Sequence, residues 1–346
     1  MLYTTTRSDH DTYTAERALK ERCAPDGGLY LPMQRKRFSP GELAQLLSQE
    51  PTGVIASILN HFFSSRLTAK DVEFSLGREF IRLPSLSRNV TAAEYWRNAD
   101  GDFSRIQRIL TERVAIDKRS APVGEWAQTA TRIAMLFAAY AQMHRDGRIE
   151  YGKKLDVAVL SGSFSGPVAA WMARDMGLPI GNIICCCNEN GAAWDLLQRG
   201  EMKLNPQVRR TKTPRCDVGR PEGVERLVRL TLGVQEANRY AYLCEEGGVY
   251  ELRPEQHEKL RAGMYASVSS DIRVQRVIAN AYATNGYVLC PYSALVYSGL
   301  MDYRAATGHN GPALMISETS PLQCEEQIAK AMGVTVAEVH ERLGMA

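Results

Sequence analysis

From Leu155 to Cys187 the chain reads LDVAVLSGSFSGPVAAWMARDMGLPIGNIICCC: an apolar run, a turn of small residues, a helical pattern and a second apolar run. No other stretch constrains the fold as strongly, because two strands joined by one helix pair as a right-handed parallel crossover. Leu155–Leu160 is short enough for a buried strand. Pro167 stands where a first-turn proline is tolerated, and Gly177 with Pro179 supplies the stop. The loop Ser161–Gly166 has two readings. Its free N–H groups at a helix start would suit an anion, yet every β-α-β unit needs a small-residue turn. Taken alone, the loop reads as the turn.

Around this unit the 346 residues are enough for roughly two domains. Residues 1–95 read as a mainly helical N-terminal domain and 96–346 as an α/β domain. Thr14 is a cap for a helix carrying Ala15, Ala18, Leu19 and Cys23. Ser39-Pro40-Gly41-Glu42 is a capping box. Val54, Ile55, Ile58, Leu59, Phe62 and Phe63 recur at helical spacing as a core stripe. Between Phe80 and Asp102 no period is sustained, which sets the boundary there. Thr129–His144 is apolar on nearly every side, as a buried helix is. Beyond the β-α-β unit, helices alternate with the apolar runs GYVLCP (286–291) and PALMIS (312–317), predicting an open parallel sheet. Ser320, Pro321 and Gln323 read as a further capping box, so polar turns at Ser161–Pro167 and Ser317–Pro321 share the carboxyl edge, where such sheets bind ligands.

Charge and cysteine usage exclude several classes. A net charge of +3 with acids and bases interleaved leaves no nucleic-acid footprint, and Arg209-Arg210 reads as solvated surface. No apolar run has membrane-spanning length and MLYTTTRSDHD has no signal core, so a cytoplasmic protein is expected. The eight cysteines include no C-x-x-C pair. Cys185, Cys186 and Cys187 are consecutive on a strand, where neighbours face opposite ways and cannot converge on one metal. No metal is expected.

Several stretches together resemble threonine synthase, a fold-type-II pyridoxal-phosphate (PLP) family. YTTTR (3–7) and APDGGLYLP (24–32) resemble its N-terminal signature. LSGSFSGPVAAWMARDMGLPIGNIICCCNENG resembles its S-G-N-F-G-D loop, following helix, G-L-P turn and T-N-x-N-D strand end. TPRCDVGRPEGVERL (213–227), GYVLCPYSALVYSGL (286–300) and SETSP (317–321) are smaller echoes in the right order. The resemblance implies PLP-assisted conversion of O-phosphohomoserine to threonine, in which a lysine amine holds PLP and then carries protons. It also implies a PLP site at Ser161, Gly162, Ser163, Phe164, Ser165 and Gly166 for the phosphate and at Glu318 for the ring.

This sequence departs from the family where the chemistry is concentrated. The H-x-P-T-x-x-F-K-D stretch with the Schiff-base lysine is absent, and no lysine lies between Lys70 and Lys118. Lys118, in AIDKRSAP, has none of the motif and reads as surface. The S-G-D-T-G loop of the small lobe is missing too. Ser163 stands for the family's asparagine, Ser165-Gly166 for glycine and aspartate, and Glu318 for the threonine that meets the pyridine nitrogen. The expectation is a shortened, degenerate member with a trimmed open parallel-sheet large domain and the small lobe largely missing. No cofactor and no catalytic residue are expected; the chain would be a pseudoenzyme binding a phosphate-like anion or an unknown protein partner, as a homodimer. The alternative is a PLP-dependent lyase acting on O-phosphohomoserine or a related phosphorylated amino acid.

Overall fold

The structure, a computed structural model, describes residues 1–77, 81–97, 103–114 and 124–344. The N-terminal signature forms a three-stranded antiparallel sheet with β1 (Leu2–Thr5) between β2 (Tyr13–Thr14) and β3 (Tyr30–Pro32). Thr14 caps α1 (Ala15–Lys20), which ends three residues short of Cys23, and Cys23 is exposed. Three helices follow: α2 (Pro40–Leu47), α3 (Pro51–Phe63) and α4 (Ala69–Leu76). The Ser39–Glu42 box closes in both directions, and Thr68 with Asp71 makes another at α4. The stripe on α3 is core, with Val54, Ile55, Ile58 and Leu59 fully buried.

The segment without a sustained period supplies β4 (Ser85–Ser87) and β5 (Val90–Glu94), followed by α5 (Ser104–Val114) and the buried helix α6 (Glu125–Arg145). The β-α-β unit is β6 (Leu155–Leu160), α7 (Ser165–Asp175) and β7 (Ile180–Cys187). Next come α8 (Ala192–Arg199), β8 (Glu201–Lys203), α9 (Gly223–Leu232), α10 (Val234–Glu246), β9 (Val249–Glu251), α11 (Pro254–Arg261) and β10 (Met264–Val268). The chain then runs through α12 (Asp271–Asn285), α13 (Pro291–Thr307), β11 (Ala313–Ser317), α14 (Glu325–Met332) and α15 (Val336–Arg342). Six strands join in the order β10-β7-β6-β11-β5-β4, all parallel except the β4–β5 pair. This sheet therefore draws strands from both sides of the boundary expected at residue 95. Among the described residues between 81 and 129 the strands are β4 and β5, and both belong to it.

One expected apolar strand is a connector instead. GYVLCP begins with Gly286, which ends α12 at φ +63°, and closes with Cys290, whose sulfur accepts the Ser293 N–H at the start of α13. Val288, Leu289 and Cys290 are buried and Tyr287 partly so, without a strand partner among the described residues, and the caps at Gly286 and Cys290 leave three residues between the two helix ends. Among the described residues no helix is long and apolar enough to cross a membrane, and no three His, Cys, Asp or Glu side chains gather as metal ligands.

The N-terminal sheet is fastened to the α/β part through α9. Arg226 is fully buried, forks onto both Glu125 oxygens at 2.9 and 2.5 Å, donates to the Tyr30 carbonyl at 3.1 Å and lies 5.5 Å from the Trp126 ring. Burial raises the Glu125 pKa, but Arg226 outweighs it and holds the carboxyl below its ordinary value. Removing one partner of such a pair strands the other. Arg226→Leu is therefore expected to cost about 3–5 kcal/mol, and adding Glu125→Leu should restore part of it. Urea unfolding checks this; equal losses in the single and double variants would contradict it.

Candidate functional site

Strands β6 and β11 end side by side, and a cleft of about 230 Å³ opens at their carboxyl ends. One wall is the loop Ser161–Gly166. The Ser161 N–H continues the ladder to Cys186 O at 2.9 Å, and Phe164 then starts α7 at φ +71° with its ring fully buried. That backbone is costly for a bulky residue, by about 1–3 kcal/mol, and the buried ring holds it in place. The N–H groups of Ser163, Ser165 and Gly166 carry no hydrogen bond among the described residues, and the Ser163 and Ser165 hydroxyls lie 3.0 Å apart. Open donors at the start of an 11-residue helix favour negative charge.

The facing wall carries the charges. Arg132, from α6, grips Glu318 with two bonds of 2.8 and 2.9 Å. Burial works against the Arg132 charge, but Glu318 more than compensates and raises its pKa above the ordinary value. Arg215 lines the cleft with Tyr292 and Thr319; it donates to Gln323 Oε1 at 2.7 Å and has no carboxylate partner among the described residues. Gln323 thus serves Arg215 and does not close the box expected of it: the Ser320 hydroxyl accepts from the Leu322 N–H, and the Gln323 N–H goes to the Ser320 carbonyl. With Glu318 neutralised by Arg132, the cleft holds one uncompensated positive charge beside three open N–H donors.

Of the residues singled out from the sequence, Ser161, Gly162, Ser163, Ser165, Gly166 and Glu318 line this cleft together. Phe164 does not: its ring belongs to the core. Sequence reasoning missed Arg132 and Arg215. A lone arginine inside an otherwise apolar helix was the signal for the first, and TPRCD was noted only as an echo. Cys216 also faces the cleft, but burial pushes its thiol up to about 12, so it is protonated at neutral pH and a poor nucleophile.

PLP fits at one end only. The loop could take its phosphate through backbone donors. At the other end no lysine lines the cleft among the described residues, and Lys118 lies outside them. Glu318, the residue placed for the ring nitrogen, is already held on both oxygens by Arg132. The described residues do not hold the cofactor as a Schiff base.

The loop is braced from behind by α9, whose Gly223 N–H donates to Ser163 O at 2.9 Å. A Cβ on Gly223 would stand 2.9 Å from the Phe164 carbonyl carbon and 3.0 Å from Ser163 O, so backbone would have to move. Gly223→Ala should displace the serine loop at a cost of about 1–3 kcal/mol. Gly41→Ala, with nothing within 4 Å, is the control. Thermal unfolding and the amide resonances of residues 163–166 check this, and unmoved resonances in Gly223→Ala would refute it.

Comparison with known proteins follows the same lines. Residues 2–78 match the family model for the threonine synthase N terminus. Threonine synthase-like 1 of Homo sapiens is 27% identical over 206 residues, covering 57% of this chain and 26% of that protein. The chain thus spans about a quarter of the length of that relative. Threonine synthase-like 2 of Homo sapiens is 21% identical over 396 aligned positions, covering 85% of this chain and 82% of its own. The crystal structure of PLP-bound threonine synthase from Brucella melitensis has the same fold, with a TM-score of 0.83 at 17% identity over 96% of this chain and 92% of that one.

Proposed function

We propose that this chain, which belongs to the threonine synthase family, is a non-catalytic member that binds a small anion in the cleft and performs no PLP chemistry. The observation that carries the reading is the division within one cleft. Ser163, Ser165 and Gly166, whose N–H groups have no partner among the described residues, line one cleft with a cationic Arg215, while the ring-end carboxylate is paired with Arg132 and no described lysine lines the space. A phosphate or a phosphate monoester is the ligand such donors favour. The cleft opens to solvent, where anion contacts are screened by salt, so millimolar affinity is expected. The same reading places the protein in the cytoplasm as a homodimer; Phe74 of α4, 80% exposed, is one apolar residue such an interface could cover.

The test has two arms. Inorganic phosphate should shift the amide resonances of Ser163, Ser165 and Gly166 saturably, and Arg215→Ala should weaken that binding about threefold or more. Incubation with PLP followed by borohydride should leave no lysine-linked adduct. A lysine-linked chromophore in the purified protein, or a trapped adduct, would overturn the reading and restore the enzyme.

A further inference from the structure

At the opposite, amino edge of the sheet lies a second cavity, of about 460 Å³, that the cleft does not use. Its centre is Asp156, the second residue of β6, buried with only 4% of its side chain exposed. One carboxylate oxygen accepts the Asn182 N–H at 2.8 Å and its side-chain amide at 3.2 Å. The other meets His309 Nδ1 at 2.8 Å. A carboxylate can only accept, so it fixes a proton on Nδ1. Nε2 is left without a partner among the described residues, on a ring whose side chain is 51% exposed. Gly311 makes the room: a Cβ there would stand 2.8 Å from His309 Cε1. Lys153 and Lys154 line the same cavity, and neither ammonium has a carboxylate partner among the described residues.

We propose that this cavity binds a phosphate-class dianion, with Lys153 and Lys154 supplying counter-charge and His309 Nε2 a directed hydrogen bond. A purely packing role for Asp156 is met by Asn182; it requires neither an open Nε2 nor two unpaired ammoniums on one cavity. The donor is conditional. With Nδ1 protonated toward Asp156, Nε2 donates only when the ring carries its second proton. A bound dianion would hold that proton on Nε2, while Asp156 holds the one on Nδ1. Arg304, whose guanidinium lies on the Gly311 carbonyl at 2.9 Å, adds positive charge at the same edge, and the Tyr303 hydroxyl lies 3.3 Å from Nδ1.

The experiment titrates inorganic phosphate into the full chain at constant ionic strength and follows the His309 Cε1 proton resonance, assigned by its loss in His309→Asn. The expected result at pH 7 is a saturable shift of that resonance. Lys153→Ala/Lys154→Ala should weaken it about fivefold or more, while Arg215→Ala, at the other edge, leaves it unchanged. A resonance that does not move saturably, or an unchanged affinity in the lysine double variant, would overturn the proposal. Because the readout sits at His309, its failure leaves the cleft at Ser163–Gly166 untouched.

Discussion

Two adjacent residues of α9, Glu225 and Arg226, set where everything near the cleft can be. Glu225 takes the Thr6 hydroxyl and both arms of the Arg7 guanidinium, the latter at 3.0 and 3.1 Å. Arg226 takes Glu125 at the start of α6 and the carbonyl of Tyr30 in β3. The two side chains therefore tie the first strands of the chain and the long buried helix to one short helix. Two residues earlier in that helix, Gly223 touches the backbone of Ser163 and Phe164. The N-terminal sheet, well over a hundred residues away in sequence, is thus linked to the serine loop through one rigid element. A buried ion pair is weak evidence of stability against an apolar alternative, but it specifies one arrangement, since an unmatched guanidinium in that core would be expensive.

The cleft's electrostatics follow from which charges are already answered. Arg132 and Glu318 satisfy one another with bidentate geometry, the strong form of such a pair. The pair uses Nε and Nη2 of Arg132 and both oxygens of Glu318, so the two charges largely cancel. Among the described residues the Arg215 guanidinium is held by neutral side chains, the Gln323 amide oxygen and the Thr319 hydroxyl at 3.5 Å, with no carboxylate beside it. On the proposed reading an anion would be held by Arg215 and the loop, with the Arg132–Glu318 pair as an end wall.

Much of this was legible in the sequence where local chemistry decides. The β-α-β unit, the caps at Thr14 and Ser39, the core stripe of α3 and the sealed helix α6 all follow from spacing and capping residues, and the structure has them. The remainder depended on distant partners. β5 is buried along its whole length and pairs with β11, yet VTAAE carries too few large apolar residues to show a strand period. GYVLCP is apolar enough for a strand, but its backbone is taken by two helix ends. The Arg226–Glu125 pair spans a hundred residues, and Arg132 finds Glu318 across nearly two hundred. No local pattern announces either. The resemblance brought Ser161–Gly166 and Glu318 to one site without naming the arginines that determine what the site can hold.

Packing explains part of the serine loop, and separating that part is what gives the rest meaning. Gly162 has φ +33°, a backbone few side chains adopt. Phe164 is a core anchor, and Gly223 has no space behind it. These three residues would be required by any tight strand-to-helix turn braced by α9, whether or not a ligand bound, whereas a Cβ on Gly166 would meet only ordinary contacts at 3.4–3.5 Å. Ser163 and Ser165 are different. Their hydroxyls bond each other at 3.0 Å instead of capping the helix, whose N-cap makes no side-chain hydrogen bond. Thr14, Ser39 and Thr68 use such a hydroxyl on the first-turn N–H groups of their helices. α7 begins on Phe164 and leaves its first-turn donors without a partner among the described residues, and it is on these donors, rather than on the glycines, that the proposed anion site rests.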